Sequence, residues 1–458
     1  MSSQTATYDP GSPPQTEGKV LNESPAGLDP MLEAAMDRVL ESLRPYLVGT
    51  LRELIRIPSE NLPPRGNEGA CQEFVAGLLR DLGLEPDIYE PGAVAGITTH
   101  PEYWPHREYA GRPNVAAVLR GGTGRSLILS GHIDTVPADA PVEWQQAPFG
   151  ADLRDGRLFG RGAWDMKAGV AMNLTVLRAI RELRARLKGD LTFETVVDEE
   201  FGGVNGTLAA RVRGYLADGA VISEPTSLSI CPAQRGGRIL HILLSGGGGI
   251  LSTGRNSGRV VDQLTHILWR LKDFSSRRAS RVAVDPYFRG CADPFAVWIT
   301  NIATGRWGWT QPITIPERCR IELYWQTMPD ETVEEVMREF FGWWGETLDS
   351  QPELFAVKPR VEFPMRWLPG CAIPAESPFV QEFSAAAASI GLDAPVEGLD
   401  SPSDMYIFQK SFQIPALMWG PAGANAHQAD EYVDLDSLYQ ATRVLLRFVV
   451  RWCGLEPR

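Results

Sequence analysis

The chain has 458 residues, enough for two or three ordinary domains, and its 43% hydrophobic and 22% charged residues are typical of a globular protein. Its formal net charge of −13 argues against nucleic acid or an anionic membrane surface as a partner, because both are themselves negatively charged. The six cysteines form no CxxC pair and no apolar run is long enough to span a membrane, so we predict a cytoplasmic protein with reduced thiols.

The chain is predicted to begin with a flexible arm, residues 1–30, which is rich in Pro, Ser, Thr and Gly. This arm lacks the basic region and apolar core of a secretory signal. Segments whose apolar residues recur at helical spacing then alternate with short apolar runs that are predicted to be buried strands. These runs include "RSLILSGHID", "DLTFETVVDEE" and "GAVISEP". Strands that alternate with helices indicate an α/β domain with a mainly parallel sheet.

The pattern changes after "QRGG", where the predicted order becomes βαββαβ, the ferredoxin-like motif. We place this unit at residues 236–366 and refer to it as the inserted domain. The α/β pattern resumes afterwards, so the catalytic α/β domain is predicted to consist of residues 31–235 and 367–458. The first domain is therefore expected to be discontinuous in sequence.

Acidic residues and histidines stand at the predicted strand ends and in one glycine-rich loop. They are His132, Asp134, Asp165, Glu199, Glu200, Glu224 and His427. Each has an ordinary structural explanation when taken singly; Asp165, for example, could cap a helix. Together they gather carboxylates at one edge of a sheet, where like charges repel unless a cation neutralises them. Histidine combined with carboxylate oxygens suits zinc, manganese or cobalt.

Several motifs in fixed order resemble those of the binuclear metallohydrolases that include aminoacylases, carboxypeptidase G, acetylornithine deacetylase and succinyl-diaminopimelate desuccinylase. The matching segments are "GRPNVAAVLRG", "SGHIDTVP", "GRGAWDMKAG", "DEEFGGVNGT", "SEPT" and "AHQADEYV". The resemblance covers roughly residues 40–450. It implies a small-molecule substrate, and it implies that the inserted domain is a lid through which the chain forms a homodimer or a higher homo-oligomer.

The resemblance also implies two divalent metal ions, zinc, manganese or cobalt, and assigns their ligands. His132 and Glu224 would bind one ion, and Glu200 and His427 would bind the other. Asp165 would bridge the two ions.

Two further residues receive catalytic roles from the resemblance. Asp134 would hold the ring of His132 in the tautomer that binds metal. Glu199 would be the general base, taking a proton from the water held between the two metals and returning it to the departing nitrogen. The implied activity is hydrolysis of an amide-type C–N bond by a deacylase or a carboxypeptidase-like enzyme.

The inserted domain departs from the family's pattern at three positions that would contact substrate. The family's oxyanion-binding histidine, a strand asparagine and a carboxylate-binding arginine are replaced by Ile250, Ile313 and Gln326. Three nearby polar residues could substitute for them, namely Arg255, Asn256 and Arg259. Because isoleucine cannot bind a carboxylate and glutamine binds one less well than arginine, we expect a substrate other than a standard N-acyl amino acid.

Two alternative functions follow from these departures. One is an aminohydrolase that replaces the amino group of an aromatic amine, such as a nitroanthranilate, by hydroxyl. The other is a non-catalytic, metal-dependent binding protein, which is disfavoured because Glu199 is present although it is not a predicted metal ligand.

Overall fold

The computed structural model describes four stretches of the chain, residues 28–138, 143–246, 259–304 and 316–456. The predicted N-terminal arm therefore lies almost wholly outside the described residues. The helices are α1 (Pro30–Arg56), α2 (Gly69–Asp81), α3 (Lys167–Glu182), α4 (Asn205–Val212), α5 (Val260–Arg281), α6 (Val333–Asp349), α7 (Pro378–Ala388) and α8 (Leu435–Cys453). None of the helices in these stretches is both long and apolar enough to cross a membrane.

The strands are numbered here in chain order. They are β1 (Asn61–Leu62), β2 (Arg65–Gly66), β3 (Asp87–Tyr89), β4 (Asn114–Leu119), β5 (Leu127–His132), β6 (Asp152–Arg154), β7 (Arg157–Phe159), β8 (Leu191–Val196), β9 (Ala220–Ile222), β10 (Ile230–Gln234), β11 (Gly236–Ser245), β12 (Val297–Thr304), β13 (Arg318–Thr327), β14 (Arg360–Glu362), β15 (Cys371–Ala372), β16 (Val396–Leu399), β17 (Ala416–Met418), β18 (Gly423–Ala424) and β19 (Tyr432–Asp434).

The central sheet has the order β15-β10-β17-β9-β5-β8-β4-β3, with β16 alongside β10. Its four middle strands, β17, β9, β5 and β8, are parallel. The predicted α/β fold with a mainly parallel sheet is thus confirmed, and the structure adds antiparallel strands toward both edges. Because β9, β5 and β8 are neighbours and parallel, the segments that follow their carboxyl ends meet at one edge of the sheet.

Helix α3 is buried along nearly its whole length and contacts β5, while α1 and α8 pack against it. Most of its buried residues are apolar or small, as expected for a helix in the middle of a core. At Gly169 a Cβ atom would lie 2.0 Å from the carbonyl oxygen of Ser223, just after β9. Only glycine therefore allows the start of α3 to approach this strand end so closely.

A second, small sheet connects two loops that are far apart in sequence. Its order is β18-β19-β7-β6, and Tyr432 of β19 pairs with Phe159 of β7. The loop after β7 therefore lies beside the loop before β19. These short strands were not predicted, because two or three residues are too few to display an alternating pattern.

The predicted βαββαβ unit is present as β11, α5, β12, β13, α6 and β14, with the antiparallel order β12-β13-β11-β14. The two helices cover one face of this sheet and share a core with it that includes Trp325, Trp343 and Phe274. The inserted ferredoxin-like arrangement is confirmed. The domain boundaries at residues 235/236 and 366/367 stay predictions.

Candidate metal centre

The ends of the three parallel strands bring most of the predicted ligands together. His132 is the last residue of β5, Glu200 follows β8, and Glu224 follows β9. Asp165 comes from the loop between β7 and α3, and His427 comes from the loop between β18 and β19. The sheet edge therefore supplies three of the five side chains, and the loops joined by the small sheet supply the other two.

These side chains form two groups that could each hold a metal ion. One consists of His132, Asp165 and Glu224, and the other of Asp165, Glu200 and His427; within each group the ligand atoms lie within 4.8 Å of one another. Asp165 belongs to both groups. The structure thus brings together all five predicted ligands in the predicted pairing, although their roles as ligands stay a prediction.

The two oxygens of Asp165 lie near different histidines. Its Oδ1 lies 3.2 Å from Nε2 of His132, and its Oδ2 lies 3.3 Å from Nε2 of His427. Nε2 of His427 also lies 2.8 Å from a carboxylate oxygen of Glu200. One carboxylate with one oxygen turned toward each group has the arrangement that a bridging ligand requires.

The electrostatics of the cluster fit bound cations. Burial raises the pKa values of Glu199, Glu200 and Glu224, and the mutual repulsion of the carboxylates adds to this effect. Burial lowers the pKa of His427, but hydrogen bonds with Asp165 and Glu200 outweigh it and raise the value to about 11. Imidazole nitrogen and carboxylate oxygen bind a cation in their deprotonated forms, so a raised pKa at these groups makes metal binding compete with protons. The donor set of histidine nitrogen and carboxylate oxygen therefore fits two divalent ions such as zinc, manganese or cobalt.

Asp134 contacts His132 mainly through its main chain. The carbonyl oxygen of Asp134 lies 2.9 Å from Nδ1 of His132, whereas its carboxylate oxygen is 3.8 Å away. The other carboxylate oxygen instead accepts the main-chain N–H groups of Glu199 and Glu200, at 3.0 and 3.1 Å. Asp134 thus holds both the histidine ring and the Glu199–Glu200 turn in place. The sequence predicted only its contact with the ring, whereas in the structure its carboxylate bonds to the turn and its main-chain oxygen contacts the ring.

Glu199 lies beside the cluster with its side chain 15% exposed, and its Oε2 is 3.9 Å from Nε2 of His132. Among the described residues, no donor lies within hydrogen-bonding distance of its carboxylate. A carboxylate that makes no hydrogen bond with the described residues and lies next to the ligand His132 is in a suitable place to exchange a proton with a reactant.

The predicted substrate residues are only partly described. Gln326 is buried on β13, and its side-chain amide donates a hydrogen bond to the carbonyl oxygen of Asp400. Arg259 is half-exposed at the start of α5 and pairs with Asp262 at 2.7 Å, on the same helix. The other four substrate residues fall outside the described residues: Ile250, Arg255, Asn256 and Ile313.

Three buried polar residues near the site were not predicted. Asn61 donates to the carboxylates of Asp134 and Asp198, at 2.9 and 3.2 Å, and Asp404 accepts a hydrogen bond from Thr207. Glu431 contacts the loop that carries Asp165. Of the three, only Glu431 lies in a segment that carries the family resemblance, "AHQADEYV". Asn61 and Asp404 have no comparable signal in the sequence, because only the fold brings their neighbours to them.

Comparisons with known proteins identify the family of this chain. A sequence profile described as peptidase family M20/M25/M40 matches residues 128–451, more than two-thirds of the chain. An N-formyl-4-amino-5-aminomethyl-2-methylpyrimidine deformylase of Bacillus subtilis is 25% identical, over 92% of this chain and 97% of the relative. A succinyl-diaminopimelate desuccinylase of Methylobacterium radiotolerans is 29% identical, over 86% of this chain and 93% of the relative.

A similar solved structure is the di-peptidase Dug1p from Saccharomyces cerevisiae. It has a TM-score of 0.73 with 15% sequence identity, and the match covers 93% of this chain and 99% of that one. This likeness agrees with the fold described above. Because the family profile spans most of the chain, including the residues that form both ligand groups, the protein belongs to peptidase family M20/M25/M40 and is a metal-dependent hydrolase.

Proposed function

We propose that the protein hydrolyses the amide bond of a small N-acyl group, such as formyl, on an amine that is attached to an aromatic ring system and carries no carboxylate. Water adds its oxygen to the acyl carbon, and the C–N bond breaks to give a carboxylic acid and the free amine. The observation that carries the substrate class is Gln326, a neutral side chain at the position of the family's carboxylate-binding arginine.

Each group of the centre has one task in this reaction. Two divalent ions held by the two ligand groups would polarise the amide carbonyl and lower the pKa of the attacking water. Glu199 takes the proton from the water as its oxygen attacks and gives that proton to the amide nitrogen as it leaves. The main-chain oxygen of Asp134 holds Nδ1 of His132, so that Nε2 is left to bind one of the ions.

Two facts support the substrate class. One amide N–H of Gln326 is bonded to Asp400, so this neutral side chain offers a substrate carboxylate no charge and at most its second N–H. In addition, the Bacillus subtilis relative is named as the deformylase of an aminomethylpyrimidine, an aromatic amine whose name contains no carboxylate.

We expect the metal-loaded protein to prefer N-formylated aminomethyl heterocycles over N-acyl amino acids. The value of kcat/KM should be at least about 100-fold higher for the formyl heterocycle than for N-acetylornithine, N-succinyl-diaminopimelate or a simple dipeptide, because such a ratio needs only about 3 kcal/mol of differential binding. Release of formate and of the free amine measures the reaction.

The same panel should include an anthranilate, because the aminohydrolase alternative predicts release of ammonia from it. Ammonia without formate would favour that alternative. A kcat/KM above about 10⁴ M⁻¹s⁻¹ on any of the carboxylate-bearing substrates would contradict the proposed substrate class.

We also propose that a second copy of the chain pairs along β12. This strand lies at the edge of its sheet, and Trp298, Ile299 and Ile302 on it are each 42–44% exposed. An edge strand with several exposed apolar side chains is an expected site of strand pairing between chains. The same surface would make the protein a homodimer or part of a higher homo-oligomer.

Ile302→Lys should convert the dimer into a monomer, because it places a charge on the paired strand. Light scattering at micromolar concentration measures the mass. The matched control is Leu216→Lys, the same kind of change at an apolar residue that is 54% exposed and lies outside the inserted domain. A wild-type protein that is already monomeric, or an Ile302→Lys variant that stays dimeric, would count against this interface.

A further inference from the structure

Glu431 is a buried carboxylate, 1% exposed, that lies next to the metal centre without facing it. Its Oε1 accepts the main-chain N–H groups of Trp164 and Asp165, at 2.9 and 3.0 Å. Its Oε2 accepts the main-chain N–H of Gly162 and a guanidinium N–H of Arg161, each at 2.9 Å. All four donors belong to the loop that carries Asp165.

The same residue belongs to the loop that carries His427, four positions earlier in the chain. The carbonyl oxygen of Glu431 accepts the main-chain N–H of Gly160 at 2.9 Å. Arg161 also donates to the carbonyl oxygen of Gln428, next to His427, at 3.1 Å. Apart from the direct contact between His427 and Asp165, the hydrogen bonds between these two loops in the described residues all involve Glu431 or its partner Arg161.

We infer that Glu431 is a positioning residue of the metal centre, whose carboxylate fixes Asp165 and His427 relative to each other so that they can bind the second metal ion together with Glu200. This inference rests on the proposed two-metal site. The first group depends less on Glu431, because His132 and Glu224 are placed by the ends of β5 and β9.

A glutamine cannot replace Glu431 in this arrangement. Each carboxylate oxygen faces two N–H donors, whereas the amide of glutamine has one oxygen and one NH₂ group. In either orientation of the amide, one pair of donors meets another donor and loses its acceptor. Glu431→Gln thus loosens the loop while changing the size of the side chain very little.

The test is titration of the metal-free protein with Co²⁺, followed by calorimetry and by the visible absorption of the bound ion. Wild type is expected to bind two equivalents. Glu431→Gln should keep the first affinity within about threefold and weaken the second by about 10- to 100-fold, the usual effect of losing a residue that orients a metal ligand. The absorption of the second Co²⁺ should appear only at correspondingly higher concentrations.

Glu331→Gln is the matched control, because Glu331 also pairs with a buried arginine, Arg278, and accepts a main-chain N–H, that of Met328, but in the inserted domain. It should bind both Co²⁺ ions as wild type does, even if its melting temperature falls. Equal second affinities for Glu431→Gln and this control would overturn the inference about Glu431 alone. A wild-type protein that binds fewer than two Co²⁺ would overturn the two-metal site itself.

Arg161→Gln provides a second variant should Glu431→Gln fail to fold. It removes the bond to Gln428 while Glu431 keeps its three main-chain donors. We expect it to weaken the second Co²⁺ by about tenfold. An unchanged second affinity in Arg161→Gln would then overturn the inference.

Discussion

Glu199→Gln should lower kcat by at least about 100-fold, the usual scale for loss of a general base, while the fold and both bound metal ions are retained. Glutamine has nearly the size of glutamate but cannot accept and return the proton. In the structure, no donor among the described residues binds the carboxylate of Glu199, so its replacement breaks no structural bond there. Turnover of the best amide substrate, metal content and melting temperature together measure the result.

The neighbouring residue provides the control. Glu200→Gln should lose affinity for one metal ion, because Glu200 lies 2.8 Å from Nε2 of His427 and belongs to a ligand group. Both variants would then be poor enzymes, but only Glu199→Gln would keep two metals. If Glu199→Gln retained more than a tenth of the wild-type turnover, Glu199 would not be the general base.

Asp165→Ala should abolish tight binding at both metal positions, because Asp165 is the one residue shared by the two ligand groups among the described residues. Loss of both ions should lower kcat/KM by at least about 10³-fold, since about 4 kcal/mol of transition-state stabilisation depends on them. The main-chain N–H of Asp165 keeps its bond to Glu431 in this variant, so we expect the loop to remain in place. Metal content after dialysis and the activity of the variant are the measurements.

Glu224→Ala is the comparison for this second prediction, because Glu224 belongs to one ligand group only. It should retain one metal ion, bound by Asp165, Glu200 and His427. An Asp165→Ala protein that still held one ion as tightly as Glu224→Ala does would show that Asp165 does not bridge the two positions.

Much of this centre could be predicted from sequence because several of its residues lie at the ends of apolar runs that mark strands. Apolar runs mark β5, β8 and β9, and a polar residue at or just after a parallel strand reaches the same sheet edge as its neighbours. This explains why His132, Glu200 and Glu224 could be expected to meet. The βαββαβ order of the inserted domain was also predictable, since its helices and strands are long enough to show their periods.

The sequence could not show contacts that depend on how distant segments pack. Strands β7 and β19 are only three residues each, and their pairing places Asp165 beside His427. The partner of Nδ1 of His132 is a main-chain oxygen, which carries no signature of residue type.

The sequence by itself determined the fold class, predicted five side chains as metal ligands and placed a neutral residue at position 326. Tertiary structure alone decided that the two oxygens of Asp165 face different histidines and that Gln326 is bonded to Asp400. It also decided that one buried carboxylate, Glu431, joins the loops of Asp165 and His427. The physical reason is that periodicity and strand ends depend on residues close together in sequence. Hydrogen bonds between loops join residues far apart in sequence, and they form only after the sheet has set the distances between the loops.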